Sequence, residues 1–129
     1  MTKQWLIDTD ILIDYLRGVP DAAKFFEKII ENSICSLSTI TLAELYSGVK
    51  EGKEKHTLEN FLNVFHIIPV TLEIAKAGGL YRRDYGKSHG VGLADAMIAA
   101  TAEFCNARLV SLNKKHFPML KNVLVPYSK

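Results

Sequence analysis

The sequence predicts an α/β domain in which helices cover both faces of a mostly parallel central sheet of about four to five strands. Three observations support this fold class. Short apolar runs alternate with helical patterns along the chain. Several of these segments lie next to an acid or an amide, and α/β proteins gather their ligands at the ends of parallel strands. The length of 129 residues suits one such domain, so we expect a single domain over residues 1–129.

The first strand and helix are predicted near the N-terminus. The continuous apolar run 5–7 is typical of a buried parallel strand, and it ends at Asp8. A helix is predicted from residue 11 to about residue 17. Thr9 or Asp10 would cap it, which leaves Asp8 without a capping role.

Three helices and one strand are expected in the next fifty residues. Pro20 opens a helix whose apolar residues recur at helical spacing. A short strand follows at 34–37, and a third helix is predicted over about 41–50. The spacing of apolar residues within 58–65 predicts a fourth helix.

The middle of the chain contains a predicted edge strand and a helix. The segment 66–70 has strand character, and Pro69 within it favours the edge of a sheet. Thr71 starts the helix, in which the pair 78–79 of glycines would permit close packing or a bend. A glycine-containing loop is predicted over 85–92.

The last third begins with the most distinctive helix, 93–104, whose five alanines would allow it to pack close to a sheet. A strand over 108–112, a short helix over 114–120 and a last strand over 123–125 are predicted after it. The alternation of strands and helices is typical of a parallel sheet.

Composition and charge limit the classes of function. Hydrophobic residues make up 48% and charged residues 23%, which is ordinary for a globular domain. A net charge of +2 is too small to identify a nucleic-acid-binding protein, so any such role must come from local patches. Cys35 and Cys105 have no metal-binding spacing, which favours reduced thiols. With no signal-peptide pattern and no membrane-spanning run, we expect a cytoplasmic protein.

The candidate active-site residues are three acids and one amide, each near the end of an apolar segment: Asp8, Glu44, Asp95 and Asn113. Two like charges at about 4 Å repel by about 4 kcal/mol at an effective dielectric near 20. Three converging carboxylates would therefore take up protons or bind a divalent ion, and oxygen ligands favour Mg²⁺ or Mn²⁺.

Each of the four residues also has a structural interpretation. Asp8 would act as a charge at a helix N-terminus. Glu44 matches the last position of a capping box that starts at Thr41. Asp95 would benefit from the helix dipole, but an unpaired carboxylate in an alanine-rich helix is costly to bury. Asn113 would serve as an N-cap.

Two basic groups are candidates for RNA contacts, and a solvated charged face is the alternative interpretation. The candidate residues are Arg82, Arg83, Lys87, Lys114 and Lys115. If they flank the acidic cluster, they would hold a phosphate backbone there.

Four sequence blocks resemble the acidic motifs of PIN domains, in particular those of VapC-type toxins of prokaryotic toxin–antitoxin pairs. The blocks are 6–14 (LIDTDILID), 41–45 (TLAEL), 92–102 (GLADAMIAATA) and 112–117 (LNKKHF), in family order. The resemblance covers essentially the whole chain, and its first and third blocks are the specific ones.

The resemblance implies a Mg²⁺- or Mn²⁺-dependent ribonuclease. Asp8, Glu44 and Asp95 would be the metal-binding acids, with Thr9 in the first or second ligand shell. Asn113 stands where the family often has a fourth acid, and it would accept through its carbonyl or orient a water. His116 occupies the other position at which such an acid is found. An Asn113→Asp change is accordingly expected to tighten metal binding.

The resemblance also implies partners and a type of reaction. VapC-type proteins usually form homodimers and are inhibited by a small VapB-type antitoxin. The apolar helices 11–16 and 22–30 are candidate surfaces, although core packing explains them equally well. Hydrolysis of RNA by a metal-activated water would leave 5′-phosphate and 3′-hydroxyl ends.

Two other functions are compatible with parts of the sequence. A haloacid-dehalogenase-type phosphatase would use Asp8 as nucleophile and Asp10 as acid/base, but Leu12 departs from that motif and Asp95 has no second acid close by. A catalytically weak PIN-like module that binds RNA or protein is the second, with Asn113 as the sign of lost activity.

Overall fold

The computed structural model describes residues 3–128. Its sheet has four strands in the order β3-β2-β1-β4, and every neighbouring pair is parallel. The strands are β1 (Lys3–Ile7), β2 (Ser33–Ser38), β3 (His66–Ile68) and β4 (Arg108–Val110). The parallel α/β architecture predicted from the sequence is thus confirmed.

Six α-helices connect and cover the strands. They are α1 (Thr9–Leu16), α2 (Pro20–Ile29), α3 (Thr39–Ser47), α4 (Lys53–Leu62), α5 (Leu72–His89) and α6 (Leu93–Phe104). A single 3₁₀ turn, Lys114–His116, follows β4.

Apolar side chains form a separate core on each face of the sheet. Successive residues of β1 alternate between the two cores, as the pleat of a strand requires. Trp5 and Ile7 pack with α1, α2 and α4 on one face, whereas Leu6 packs with α5 and α6 on the other. The molecule is therefore a three-layer α/β/α arrangement with both sheet faces buried.

Close packing of α5 on α6 depends on Gly78. A Cβ at this position would lie 2.6 Å from Met97 Sδ and 3.1 Å from Met97 Cα. The sequence predicted either close packing or a bend at this pair of glycines, and Gly78 permits close packing. A Cβ at Gly79 would meet no atom within 4 Å, so this second glycine has no comparable role.

Three predicted elements differ from the structure. Residues 85–89 belong to α5 rather than to a loop, and the helix ends at Gly90, whose φ of +65° suits glycine. The predicted helix 114–120 is only the 3₁₀ turn. The predicted last strand is a single parallel bridge between Leu124 and Val110. Short segments near the end of the chain pair with only one neighbour, so their apolar pattern does not distinguish a strand from an extended tail.

Smaller differences concern the ends of elements. The third helix begins at Thr39 rather than about residue 41, and β3 ends at Ile68, one residue before Pro69. The position of β3 at the edge of the sheet agrees with the expectation from Pro69. Cys35 and Cys105 are both free thiols, as predicted.

Candidate active site

The candidate site lies at the carboxyl end of the sheet, where β1 is flanked by β2 and β4. Asp8 follows the last residue of β1, and its backbone N–H donates to the carbonyl of Val110 at the end of β4, at 2.9 Å. Ser111 therefore lies beside Asp8. The arrangement follows from parallel strands, whose carboxyl ends meet at one edge.

The carboxylate of Asp8 is buried and held from two directions. Its Oδ1 accepts a hydrogen bond from the Thr9 backbone N–H at 2.8 Å, and its Oδ2 accepts one from the Ser111 hydroxyl at 2.7 Å. Asp8 is thus the N-cap of α1. The prediction that Thr9 or Asp10 caps this helix, leaving Asp8 free, is wrong, because the chain enters the helix one residue earlier than expected.

Burial controls the ionisation of Asp8. The pKa of this carboxyl is raised from its ordinary 3.8 to about 7: burial is the largest cause, the charges of Asp10 and Asp95 add to it, and the hydrogen bonds from Ser111 and Thr9 partly offset it. A carboxylate that is this costly to ionise without a partner is stabilised when a cation binds beside it.

Glu44 is joined to the site by a hydrogen bond from Thr9. The Thr9 hydroxyl donates to Glu44 Oε1 at 2.7 Å and lies 3.2 Å from the hydroxyl oxygen of Thr41. The capping-box interpretation of Glu44 is wrong, because Ser38 is the N-cap of α3 and its side chain accepts from the Ile40 N–H at 3.0 Å. Glu44 therefore lies beyond the first turn of α3, and its carboxylate is directed to Thr9.

Asp95 approaches from the other face of the sheet, in the first turn of α6. Its half-buried carboxylate has one ion-pair contact, with His116 Nδ1 at 3.5 Å. Burial raises the pKa of Asp95, the nearby His116 lowers it, and the charge of Glu44 raises it. Asp95 thus interacts electrostatically with both Asp8 and Glu44, although the three acids belong to different parts of the fold.

Asp10 and Ser111 belong to the site, although neither is among the four candidate metal-site residues; the sequence suggested Asp10 only as a helix cap and as the acid/base of a phosphatase. Asp10 Oδ2 accepts from the Leu112 N–H at 3.0 Å and from Asn113 Nδ2 at 2.9 Å, and Ser111 Oγ lies 3.4 Å away. The spacing of two residues between Asp8 and Asp10, at a strand-to-helix junction, was the available signal. Ser111 gave none, since a serine at the end of a strand is common.

Asn113 is not the N-cap that its sequence context suggested. Its side chain makes no capping hydrogen bond to the 3₁₀ turn and instead donates to Asp10. Its backbone N–H donates to Ser111 Oγ at 3.0 Å. The carboxamide is therefore bound to Asp10 of α1.

The basic candidates lie in two places. Lys114 and Lys115 belong to the exposed 3₁₀ turn whose third residue contacts Asp95. Arg82, Arg83 and Lys87 lie on α5, where the guanidinium Nε of Arg83 is 2.8 Å from Asp84 Oδ1. An RNA-binding role of both groups stays a prediction.

The donor chemistry of the site fits a hard divalent cation. Its acids offer only carboxylate oxygens, and Asp10 Oδ1 is buried without a hydrogen-bond partner. Within residues 3–128, no three Asp, Glu, His or Cys side chains already converge as a closed metal centre. The acids are therefore near one another but not yet arranged around one point.

Two further features bear on the class of protein. In the part of the chain that the structure describes, no helix combines the length and hydropathy that a membrane span needs. The PIN domain model matches residues 5–121, which is most of the chain.

Similarity to individual proteins extends over nearly the full length. The chain is 40% identical over 124 residues to Ribonuclease VapC19 of Mycobacterium tuberculosis, covering 95% of this chain and 98% of the relative. Its structure is similar to that of a toxin-antitoxin complex from Klebsiella pneumoniae, with a TM-score of 0.82, 30% identity and coverage of 96% and 98%. It is also similar to VapBC2 from Rickettsia felis bound to a promoter DNA fragment, with a TM-score of 0.76, 27% identity and coverage of 94% and 96%.

Proposed function

The chain belongs to the PIN domain family, and on this premise we propose that it is a Mg²⁺- or Mn²⁺-dependent endoribonuclease acting as the toxin of a VapBC-type pair in the cytoplasm. The names of its relatives support the ribonuclease activity. The observation that carries the proposal for this chain is the group of mutually interacting carboxylates at the end of the parallel sheet.

Asp8, Glu44 and Asp95 are the residues that would hold the ion, with Thr9 and Asn113 supporting them. The bound ion supplies Lewis acidity at the phosphate and lowers the pKa of water. The Thr9 hydroxyl donates to Glu44 Oε1, which would hold this carboxylate in place as one of the ligands of the ion. Without a cation, the clustered acids repel the phosphate backbone.

Lys114 and Lys115 are proposed to bind the RNA backbone beside the site, because their turn contacts Asp95 through His116. Arg82, Arg83 and Lys87 would extend this surface along α5. Contacts from such residues position the phosphate backbone without reading the base sequence.

The partner proposed for this chain is a VapB-type antitoxin, because the solved structures similar to it include toxin–antitoxin complexes. Tyr15 and Leu16 of α1 and Ile30 after α2 are exposed apolar side chains available to it. Most other apolar residues of these helices, among them Ile11 and Phe26, are buried in the core. A homodimer is also expected, and light scattering of the purified chain tests it.

The phosphatase alternative is not supported. The matching family is PIN, and Asp10, the acid/base of that alternative, is bound to Leu112 and Asn113. The weak-module alternative differs from our proposal in one respect, namely the absence of turnover.

The decisive experiment incubates the purified protein with total RNA and Mg²⁺ or Mn²⁺, and then with chelator. We expect cleavage only with metal, with 5′-phosphate ends. Asp8→Asn and Asp95→Asn should each lower the rate at least about 100-fold, since loss of a ligand exceeds the effect of losing an outer partner. Asp21→Asn, an exposed acid of α2, is the matched control. Cleavage by both variants at the parental rate would show that the site is assigned wrongly.

A further inference from the structure

The contact between Asp10 and Asn113 joins the start of α1 to the segment after β4. Asp10 Oδ2 accepts from the Leu112 backbone N–H at 3.0 Å and from Asn113 Nδ2 at 2.9 Å. The two residues are 103 positions apart in the chain. The proposed ribonuclease mechanism assigns no role to Asp10.

The chemistry of this contact determines the orientation of the Asn113 amide. An ionised carboxylate can only accept hydrogen bonds, so it requires the NH₂ side of the carboxamide. Because the amide group is planar, its carbonyl oxygen is then directed away from Asp10. That oxygen is the acceptor through which the side chain could approach a cation.

The same contact determines which residue can carry charge. An acid at position 113 would place a second carboxylate oxygen about 2.9 Å from Asp10 Oδ2, where like charges repel. The family resemblance implies an acid at position 113, but in this chain the acid of the contact is residue 10. Asp10 Oδ1 is buried and accepts no hydrogen bond from any of residues 3–128.

We propose that Asp10 is a positioning residue of the active site. Its carboxylate orients the Asn113 amide and holds the segment after β4. Residue 113 must then be neutral, because residue 10 is the acid. This inference rests on the proposed function. It reverses the expectation that Asn113→Asp tightens metal binding, because this change adds a negative charge beside the carboxylate of Asp10.

A charge swap tests the proposal. Four versions of the full chain are compared: the parent, Asp10→Asn, Asn113→Asp and the double variant with both changes. Asp21→Asn and Asn63→Asp, at exposed positions, make the same changes of charge away from the site. Calorimetry with Mn²⁺ gives the metal affinity, urea denaturation without metal gives the free energy of unfolding, and RNA cleavage gives the activity.

We expect Asp10→Asn to bind Mn²⁺ about tenfold more weakly, the effect typical of losing an outer partner of a metal site. Asn113→Asp should bind no more tightly than the parent. In the double variant the amide introduced at position 10 can either accept from the Leu112 N–H or donate to the acid introduced at position 113 through the same terminal atom, but not both. Its Mn²⁺ affinity and activity should therefore lie between those of Asp10→Asn and the parent. The two controls should match the parent in Mn²⁺ affinity and in RNA cleavage; because both positions lie at helix ends, their free energies of unfolding are expected to fall slightly.

Three results would overturn the proposal. They are tighter Mn²⁺ binding by Asn113→Asp, a double variant no better than Asp10→Asn, and single variants that alter only the free energy of unfolding. A parent that neither binds Mn²⁺ nor cleaves RNA would instead refute the proposed function. The pairing would still be judged in that case, from whether the double variant recovers the free energy of unfolding that each single variant loses.

Discussion

Asp8 and Asp95 contribute to the same site from two sides of the sheet, and their carboxylates are held in different ways. Asp8 is 6% exposed and accepts hydrogen bonds from Thr9 and Ser111. Asp95 is half-buried and has a single contact with His116, at 3.5 Å. The Asp8 side of the site is fixed by the fold before any ligand binds, whereas the Asp95 side is free to adjust.

The difference follows from the elements that carry the two acids. Asp8 joins β1 to α1 next to β4, so backbone and hydroxyl donors surround it. Asp95 stands in the first turn of α6, among alanines whose side chains carry no hydrogen-bond donor. A site with one rigid side and one adjustable side can receive a cation without a closed centre existing beforehand, in agreement with the lack of convergence noted for the described residues.

The largest expected effect concerns stability and pH. The pKa of Asp8 is raised to about 7, so the folded protein retains a proton that the unfolded chain releases near pH 4. The free energy of unfolding of the metal-free protein should therefore fall as pH rises from about 4 to about 7 and then level off. Each unit of pKa contributes about 1.4 kcal/mol, so the fall amounts to a few kcal/mol.

Asp8→Asn should remove most of this fall, because asparagine carries no charge and still suits an N-cap. Asp95→Asn should remove less, since Asp95 is less buried. Urea denaturation across this pH range, without metal, measures both variants against the parent. If Asp8→Asn and Asp95→Asn reduced the pH dependence of the free energy of unfolding equally, the two sides would not differ in how strongly burial opposes ionisation.

A smaller effect is expected from Ser111→Ala, which removes the donor to Asp8 Oδ2. The buried oxygen is left unsatisfied, so the free energy of unfolding above pH 7 should fall by about 1–3 kcal/mol. RNA cleavage should fall about tenfold, because Asp8 loses an orienting contact. Ser88→Ala, at an exposed serine of α5, is the control. Full activity in Ser111→Ala would mean that Asp8 does not need this support.

The smallest effect is expected from His116→Gln on the adjustable side. His116 contacts Asp95 where a cation would bind, so its removal should tighten Mn²⁺ binding by no more than about threefold, as for a partly exposed ion pair. Calorimetry measures this, with His56→Gln at an exposed position as control. A loss of affinity of tenfold or more would identify His116 as a ligand and would make this side as constrained as the other.

The fold was largely predictable because its signals are local. Apolar runs, Pro20 at a helix start and the alanines of α6 are read over a few neighbouring residues, and they gave the order of strands and helices. The errors occurred where the local pattern is ambiguous, as at residues 85–89, whose polar composition suits a loop or an exposed helix equally.

The candidate site was only partly predictable. Asp8, Glu44, Asp95 and Asn113 were selected because they lie near segment ends and match family motifs. Their contacts were not predictable: local capping rules assigned Glu44 to Thr41 and Asn113 to the helix after it, whereas both side chains bind residues more than thirty positions away.

The sequence by itself determined the parallel α/β arrangement, the family and the acids at the strand ends, because periodicity and motifs are properties of short segments. Only the tertiary structure decided that Ser111 donates to Asp8, that Thr9 donates to Glu44, and that the amide at position 113 donates to Asp10. Those contacts join elements such as β1 and β4, which become neighbours only when the sheet forms. Hydrogen bonding between distant residues depends on that assembly, and no local rule contains it.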